Sequence, residues 1–157
     1  MQKITPFLWF DHQAEEAVRL YTSIFKNSSI GPIARYGEDT PGQPGTVMTV
    51  MFQLDGQDFM ALNGGPVFHF TEAISFFVNC ETQSEVDELW DKLSEGGEKG
   101  QCGWLKDRYG VSWQIVPAIL GKLMQDSDPV KAQRVTQAML KMTKLDIAKL
   151  QQAYDQV

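Results

Sequence analysis

The same order of strand-like and helix-like segments occurs twice along this chain, which limits the folds that it can adopt. From Ile4 to Asn63, apolar and aromatic runs surround one amphipathic stretch in the order β-α-β-β-β, and this order begins again at Ala73 and continues to Val116. Two unrelated amphipathic helices would share part of such a pattern. Small and aromatic residues nevertheless follow one another with a constant offset on the two helix faces: Ala17, Leu20, Tyr21 and Ile24 in the first, Val86, Leu89, Trp90 and Leu93 in the second. The sequence therefore predicts a duplicated βαβββ unit.

Local signals mark where the elements of each unit begin and end. Asp11 is placed to cap the first helix, and Asp55-Gly56 is typical of a tight turn between two strands. In the second unit Thr82 and Glu85 have the spacing of a capping box. These signals give a helix followed by three strands in each unit.

The last forty or so residues lack this pattern and are predicted to be helical. Asp128-Pro129 is typical of an N-cap and a first helical position, and Thr143 with Asp146 forms a capping pair for a last helix. These signals predict a C-terminal helical hairpin, which has to bury an apolar face either on the chain itself or on a second subunit. We expect one domain over 1–157, with module one at 1–63, module two at 73–117 and helices at 118–157.

Composition and charge exclude several classes of protein. The formal net charge is −6 and the lysines and arginines are scattered, so no basic stripe for nucleic acid is present. No apolar run approaches the ~20 residues of a membrane span, and the N-terminus lacks a signal-peptide cleavage site. Two cysteines are too few for a disulfide framework. We predict a cytoplasmic protein with reduced thiols that binds neither nucleic acid nor membrane.

Four stretches that together cover nearly the whole chain carry a family resemblance: ITPFLWFDHQAEEAVRLYTSIF, LNGGPVFHFTEAISFFVNC, CGWLKDRYGVSWQIVP and AMLKMTKLDIAKLQQAY. The pattern K-D-x-x-G-V-x-W-Q-I-V-P in the third is the most specific. They resemble PhnB-like proteins of the vicinal oxygen chelate superfamily, which includes glyoxalase I, bleomycin-resistance proteins and extradiol dioxygenases. The resemblance implies an α+β fold in which two βαβββ modules form a curved, incomplete barrel around a cavity. It also implies a homodimer.

The resemblance allows the metal position of the superfamily to be tested on this sequence. In the metal-using relatives, His, Glu or Gln side chains on the first and last strands of each module hold a divalent ion that chelates adjacent oxygens of the substrate. By the resemblance, the histidine position falls near Pro6, and Gln114 falls where those enzymes place a glutamate. At most one weak ligand therefore remains at that position. The other polar side chains of these strands are Thr5, Asp58, Asn63, Ser75, Asn79 and Ser112. We predict no metal here and no cofactor.

Related sequences often carry the label 3-demethylubiquinone-9 3-methyltransferase. A doubly wound sheet that binds S-adenosylmethionine needs a glycine-rich turn from a strand into a helix. Here Gly64 and Gly65 follow a strand, but Pro66 and the apolar run at 67–70 lead into another strand. The topology therefore disfavours methyltransferase activity, which stays an alternative.

Two residues are candidates for catalysis. His69 lies in the linker, three residues before Glu72, and is suited either to an ion site or to acid–base chemistry at the border of the cavity. Cys102 is the candidate nucleophile, although no neighbour in sequence is placed to activate its thiol. The alternative for Cys102 is a structural role.

The aromatic side chains of the strands suggest an apolar pocket for a planar ligand. Most of these rings belong to the core, because strand residues alternate between two faces. We predict that ligand contacts come from five residues: Trp9, Asn63, Ser75, Trp104 and Gln114. The predicted function is small-molecule binding in a metal-free pocket. The alternative is an enzyme of the glyoxalase/dioxygenase superfamily that acts on a small oxygenated or aromatic metabolite.

Overall fold

The structure is a computed structural model that describes residues 2–156. It divides the chain into two compact units, residues 1–70 and residues 71–157. Each unit has its own sheet and its own covering helix. The single domain expected from the sequence stays a prediction.

The first unit is one open sheet with a helix on one face. Its strands are ordered β1-β4-β3-β2, with β1 parallel to β4 and the other neighbours antiparallel. Alternate residues of the inner strands are buried where α1 packs on β3 and β4. The elements are β1 (Phe7–Phe10), α1 (Ala14–Ile24), β2 (Ser29–Arg35), β3 (Val47–Leu54) and β4 (Gln57–Asn63).

The second unit repeats this arrangement and adds three helices. Its strands are ordered β5-β8-β7-β6, which is the order of the first unit, and β5 is again parallel to β8. The predicted α+β fold with a repeated βαβββ unit is therefore confirmed, and both sheets are open. The elements are β5 (Ser75–Cys80), α2 (Gln83–Ser94), β6 (Glu98–Lys99), β7 (Trp104–Lys106), β8 (Ser112–Pro117), α3 (Ala118–Met124), α4 (Pro129–Leu140) and α5 (Ile147–Asp155).

The helix caps were partly predicted. Thr82 Oγ1 accepts from the Glu85 backbone N–H at 3.1 Å, and Asp128 accepts from Val130 at 2.9 Å, as the sequence indicates. The prediction for Asp11 is wrong, because Gln13 is the N-cap of α1 and its side chain makes no cap bond. The N–H group of Ala14, the first residue of α1, donates instead to a side chain of β4, which is described below.

The C-terminal region contains three helices rather than the predicted hairpin of two. α3 follows β8 directly, and the helices share one apolar cluster within the second unit: Val116, Leu120, Leu123, Val135, Leu145 and Leu150. Gln83 of α2 fastens the start of α5, since its Oε1 accepts from the Ile147 N–H at 2.7 Å and its Nε2 donates to the Leu145 carbonyl at 3.0 Å. The helices thus pack on their own chain.

None of the helices within residues 2–156 combines the length and the apolar character that a membrane crossing requires.

Candidate functional site

The second sheet has one face covered by α2 and one face that carries polar and aromatic side chains. α2 packs on β5, β7 and β8, and it buries the alternate residues Leu105, Trp113 and Ile115. The residues between them point to the opposite face. We call that surface the open face of the second unit.

Strand register arranges the open face in two rows. Ser75 pairs with Ser112, which pairs with Lys106, so one row is polar. In the next row Phe77 pairs with Gln114, which pairs with Trp104. Residues paired across neighbouring strands have Cβ atoms roughly 5 Å apart, so each row is a line of side chains in mutual reach.

Hydrogen bonding links the two rows and leaves one buried hydroxyl unmatched. Gln114 Nε2 donates to Ser75 Oγ at 2.9 Å. Ser112 is only 1% exposed, and its Oγ is the one buried side-chain polar atom within residues 2–156 without a protein hydrogen-bond partner. A buried hydroxyl without a partner costs about 1–3 kcal/mol, so the open face has an unmet capacity to bind a polar group.

A shallow cavity of about 120 Å³ lies beside the polar row, and Ser112 is part of its lining. Lys106 Nζ forms an ion pair with the carboxylate of Glu72, which precedes β5. Hydrogen bonding and charge attraction to Lys106 lower the pKa of Glu72, and the same two causes raise the pKa of Lys106. Both groups are therefore charged at neutral pH. The lining consists of Glu72, Glu98, Lys99, Gly100, Trp104, Leu105, Lys106 and Ser112.

A buried carboxylate holds the hairpin that presents these residues. Asp107 is 2% exposed, and its Oδ1 accepts from the Tyr109 N–H at 2.9 Å and the Val111 N–H at 3.0 Å. Its Oδ2 accepts from Trp113 Nε1 at 2.9 Å. The turn between β7 and β8 is thereby fixed to the strand that carries Ser112 and Gln114. Asp107 belongs to the K-D-x-x-G-V-x-W-Q-I-V-P segment, and its hydrogen bonds give this aspartate a structural role.

Two of the predicted ligand residues, Trp9 and Asn63, lie in the first unit. Trp9 Nε1 donates to the Gly65 carbonyl at 2.9 Å. The Trp9 ring packs edge-on against the Phe68 ring, with 4.9 Å between the ring centroids. Asn63 Oδ1 accepts from the Ala14 N–H at 2.8 Å, which makes it the group that binds the start of α1. Its Nδ2 donates to the Val47 carbonyl at 3.1 Å, so both ends of the amide are engaged with the backbone. The predicted ligand role of these two residues stays a prediction.

The two catalytic candidates lie in loops. His69 is exposed, and Glu72, the carboxylate that the His-x-x-Glu pattern needs, is bound to Lys106. Cys102 is half-buried with a positive φ of 58°, and its backbone N–H donates to the Met142 carbonyl at 2.8 Å. The structure thus gives Cys102 a place in anchoring the C-terminal helices. Catalysis by either residue stays a prediction.

The donor set around Gln114, where the resemblance predicts a metal ligand of the metal-using relatives, does not fit a divalent ion. Gln114 turns its amide nitrogen toward Ser75, and the neighbours in its row are Phe77 and Trp104. No group of three or more His, Cys, Asp or Glu side chains is placed to hold a metal anywhere within residues 2–156. A divalent ion needs several such ligands that converge on one point.

Comparison with known proteins identifies the family. A model of the family described as 3-demethylubiquinone-9 3-methyltransferase matches residues 2–116. The chain belongs to this family. Its PhnB-like members include the structure of a PhnB protein from Bacillus cereus, which is 44% identical to the chain, covers 74% of it over 100% of its own length, and has a TM-score of 0.69.

A more distant solved structure shares the fold of this PhnB-like chain. A protein from Pseudomonas aeruginosa is 21% identical over 74% of this chain and 98% of its own, with a TM-score of 0.62. A glyoxylase/bleomycin resistance protein/dioxygenase domain from Frankia is 16% identical over 72% of this chain and 94% of its own, with a TM-score of 0.47. The comparison with curated proteins gave no match.

The sequence of this PhnB-like chain did not single out Ser112 or Lys106 as ligand-binding residues. Ser112 is two residues before Gln114, so the alternation of a strand already places both on one face. Lys106 and Glu72 are 34 residues apart, and no local pattern indicates that they pair.

The two free cysteines of this PhnB-like protein are expected to react differently with iodoacetamide. Burial, followed by the charge of Glu85, raises the pKa of the Cys80 thiol to about 12. At mildly alkaline pH almost none of Cys80 is thiolate, the reactive form. Intact-mass measurement of the folded protein should therefore show at most one adduct, and none in Cys102→Ser. A second adduct should appear only after denaturation, and rapid double labelling of the native protein would contradict this expectation.

Proposed function

We propose that this PhnB-like protein binds a planar small molecule on the open face of the second unit. The observation that carries this proposal is the buried Ser112 hydroxyl without a protein partner, in the row next to the aromatic side chains of Phe77 and Trp104. Small-molecule sites combine apolar surface with a few directed polar groups. Gln114 and Ser75, already joined by a hydrogen bond, supply such groups.

The exposure of the aromatic residues supports this assignment. Phe77 is 55% exposed on a strand whose alternate residues are covered by α2. A large apolar side chain on an open sheet face is suited to stack against a ligand ring. Trp104 lines the cavity next to the polar row and would form the other apolar wall.

Chemistry on the bound molecule is the second candidate function. The family description suggests methyl transfer, but the strand order of each unit is not that of a doubly wound sheet. Gly64 and Gly65, the glycines that would have to form a strand-to-helix turn, lie in a stretch without helix between β4 and β5. Binding without methyl transfer is therefore the function that we favour. We propose that the protein acts in the cytoplasm, as the two cysteines suggest, and as a homodimer, as the family resemblance implies.

The test is an NMR titration of the ¹⁵N-labelled protein with naphthol, a neutral planar probe. The largest shifts are expected at the amides of Phe77, Trp104 and Gln114 and at the Trp104 indole N–H. Trp104→Ala should weaken binding about tenfold, because a buried aromatic contact contributes on the order of 1–2 kcal/mol. Val130→Ala is the matched control, since Val130 is 57% exposed at the start of α4 and lies outside the site.

A second titration with Mn²⁺ tests the metal-free part of the proposal. Paramagnetic broadening confined to the Ser75 and Gln114 amides at stoichiometric Mn²⁺ would overturn it. Naphthol shifts spread evenly over the protein, or unchanged in Trp104→Ala, would overturn the binding site itself.

A further inference from the structure

Three hydrogen-bond donors lie side by side in the polar row of the open face. Ser112 is paired with Ser75 on one side and with Lys106 on the other. Ser75 Oγ already accepts a hydrogen bond from Gln114, which leaves its hydroxyl proton for another acceptor. Lys106 has only donors. The row is therefore complementary to a ligand group that accepts several hydrogen bonds.

The charges of the cavity favour an anion once Glu72 moves away. The lining of the cavity contains two glutamates, Glu72 and Glu98, and two lysines, Lys99 and Lys106. With Glu72 displaced, the lining has one more positive than negative group, and the Lys106 ammonium is open to a new partner. A cation placed there would instead face both ammonium groups.

The Lys106–Glu72 ion pair is suited to exchange. The side chains of Lys106 and Glu72 are 39% and 58% exposed, and Glu72 lies in the loop before β5. Exposed ion pairs of this kind contribute little to stability. A ligand oxyanion that binds Lys106 and also accepts from the Ser112 and Ser75 hydroxyls forms hydrogen bonds in addition to the ion pair with Lys106.

We propose that the ligand of the open face carries an oxyanion, a carboxylate or a phosphate, that binds Lys106, Ser112 and Ser75 in place of the Glu72 carboxylate. This inference rests on the proposed binding function and specifies the ligand class. Trp104 in the same lining and Phe77 in the next row contact the planar part of the ligand. Glu72 thereby acts as an internal competitor that the ligand displaces.

The test compares three probes that share a naphthyl ring by NMR titration at neutral pH: naphthoate, naphthyl phosphate and naphthamide. Naphthamide is the neutral counterpart of naphthoate. At least one anion should bind about tenfold more tightly than naphthamide, because a charge-assisted hydrogen bond is roughly twice as strong as a neutral one. The anion that binds more tightly distinguishes a carboxylate from a phosphate ligand. Shifts should centre on the amides of Ser75, Lys106 and Ser112.

Variants separate the internal competitor from general charge effects. Glu72→Gln should bind the preferred anion about two- to fivefold more tightly, because an exposed ion pair of modest strength no longer competes. Glu95→Gln is the matched control with the same change in charge, since Glu95 pairs with Arg108 outside the cavity. Lys106→Met, which keeps the apolar stem, and Ser112→Ala should each weaken anion binding about fivefold or more.

Several results would overturn the inference. Equal affinity for naphthamide and both anions would do so while leaving small-molecule binding intact, whereas failure of all naphthyl probes would remove the proposed function as well. Equal effects of Glu72→Gln and Glu95→Gln would show that only overall charge matters. Unchanged binding in Ser112→Ala would show that the hydroxyl is satisfied by water rather than by the ligand.

Discussion

Asp107→Ala is expected to lower the free energy of unfolding by about 3 kcal/mol or more, since each buried donor left unpaired costs about 1–3 kcal/mol. The substitution removes the carboxylate that accepts hydrogen bonds from the backbone N–H groups of Tyr109 and Val111 and from the indole N–H of Trp113. Asp107→Asn should lose less, because an amide oxygen can still accept the two backbone bonds. Urea denaturation followed by tryptophan fluorescence measures both changes.

The control for this prediction is Asp91→Ala, which removes an exposed carboxylate from α2. Its effect should stay within about 0.5 kcal/mol, as is usual for surface positions. A loss below about 1 kcal/mol in Asp107→Ala would contradict the account of Asp107 as the group that holds the β7–β8 turn.

Gly97→Ala is expected to be the second severe change, with a loss of about 3 kcal/mol, at the upper end of the cost of overpacking. A Cβ at Gly97 would lie 2.1 Å from the Lys106 carbonyl oxygen and 2.7 Å from the Asp107 carbonyl carbon. Both are backbone atoms, so no side-chain rotation relieves the clash. β6 would have to move away from β7, which also displaces Lys106. The urea midpoint and naphthoate affinity should therefore fall together.

The control is Gly121→Ala in α3, where an added Cβ meets nothing within 4 Å. Alanine there should raise stability by up to about 1 kcal/mol through helix propensity. A Gly97→Ala protein with the stability of the wild type would mean that β6 is not held against β7 in solution.

The predicted elements show which parts of a fold are encoded locally. β4 was predicted at Gln57 to Asn63 and lies there, because a short apolar run from Phe59 to Leu62 follows the Asp55-Gly56 turn, whose residues both have positive φ. β1 was predicted from Ile4 and begins at Phe7. Strand ends depend on partner strands, which a local pattern does not contain.

At the start of α1, a residue distant in sequence takes the role that a local capping residue was predicted to have. Asp11 has the right chemistry and nearly the right place, yet the amide of Asn63 binds the first N–H group of α1. Ala14 and Asn63 are 49 positions apart in the sequence. The capping box at Thr82 was predictable because its partner is only three residues away.

Sequence alone determined that this chain repeats a βαβββ unit, because the repeat follows from residue types at fixed spacing. The prediction that no metal binds near Gln114 came from the family resemblance. Tertiary structure decided that Ser75 and Gln114 lie on one open face with Ser112 and Lys106, while Asn63 serves a helix start. It also decided that Glu72 neutralises Lys106. The physical reason is that strand register and ion pairing join residues far apart in the chain, whereas the pattern of a sequence records only the neighbours along it.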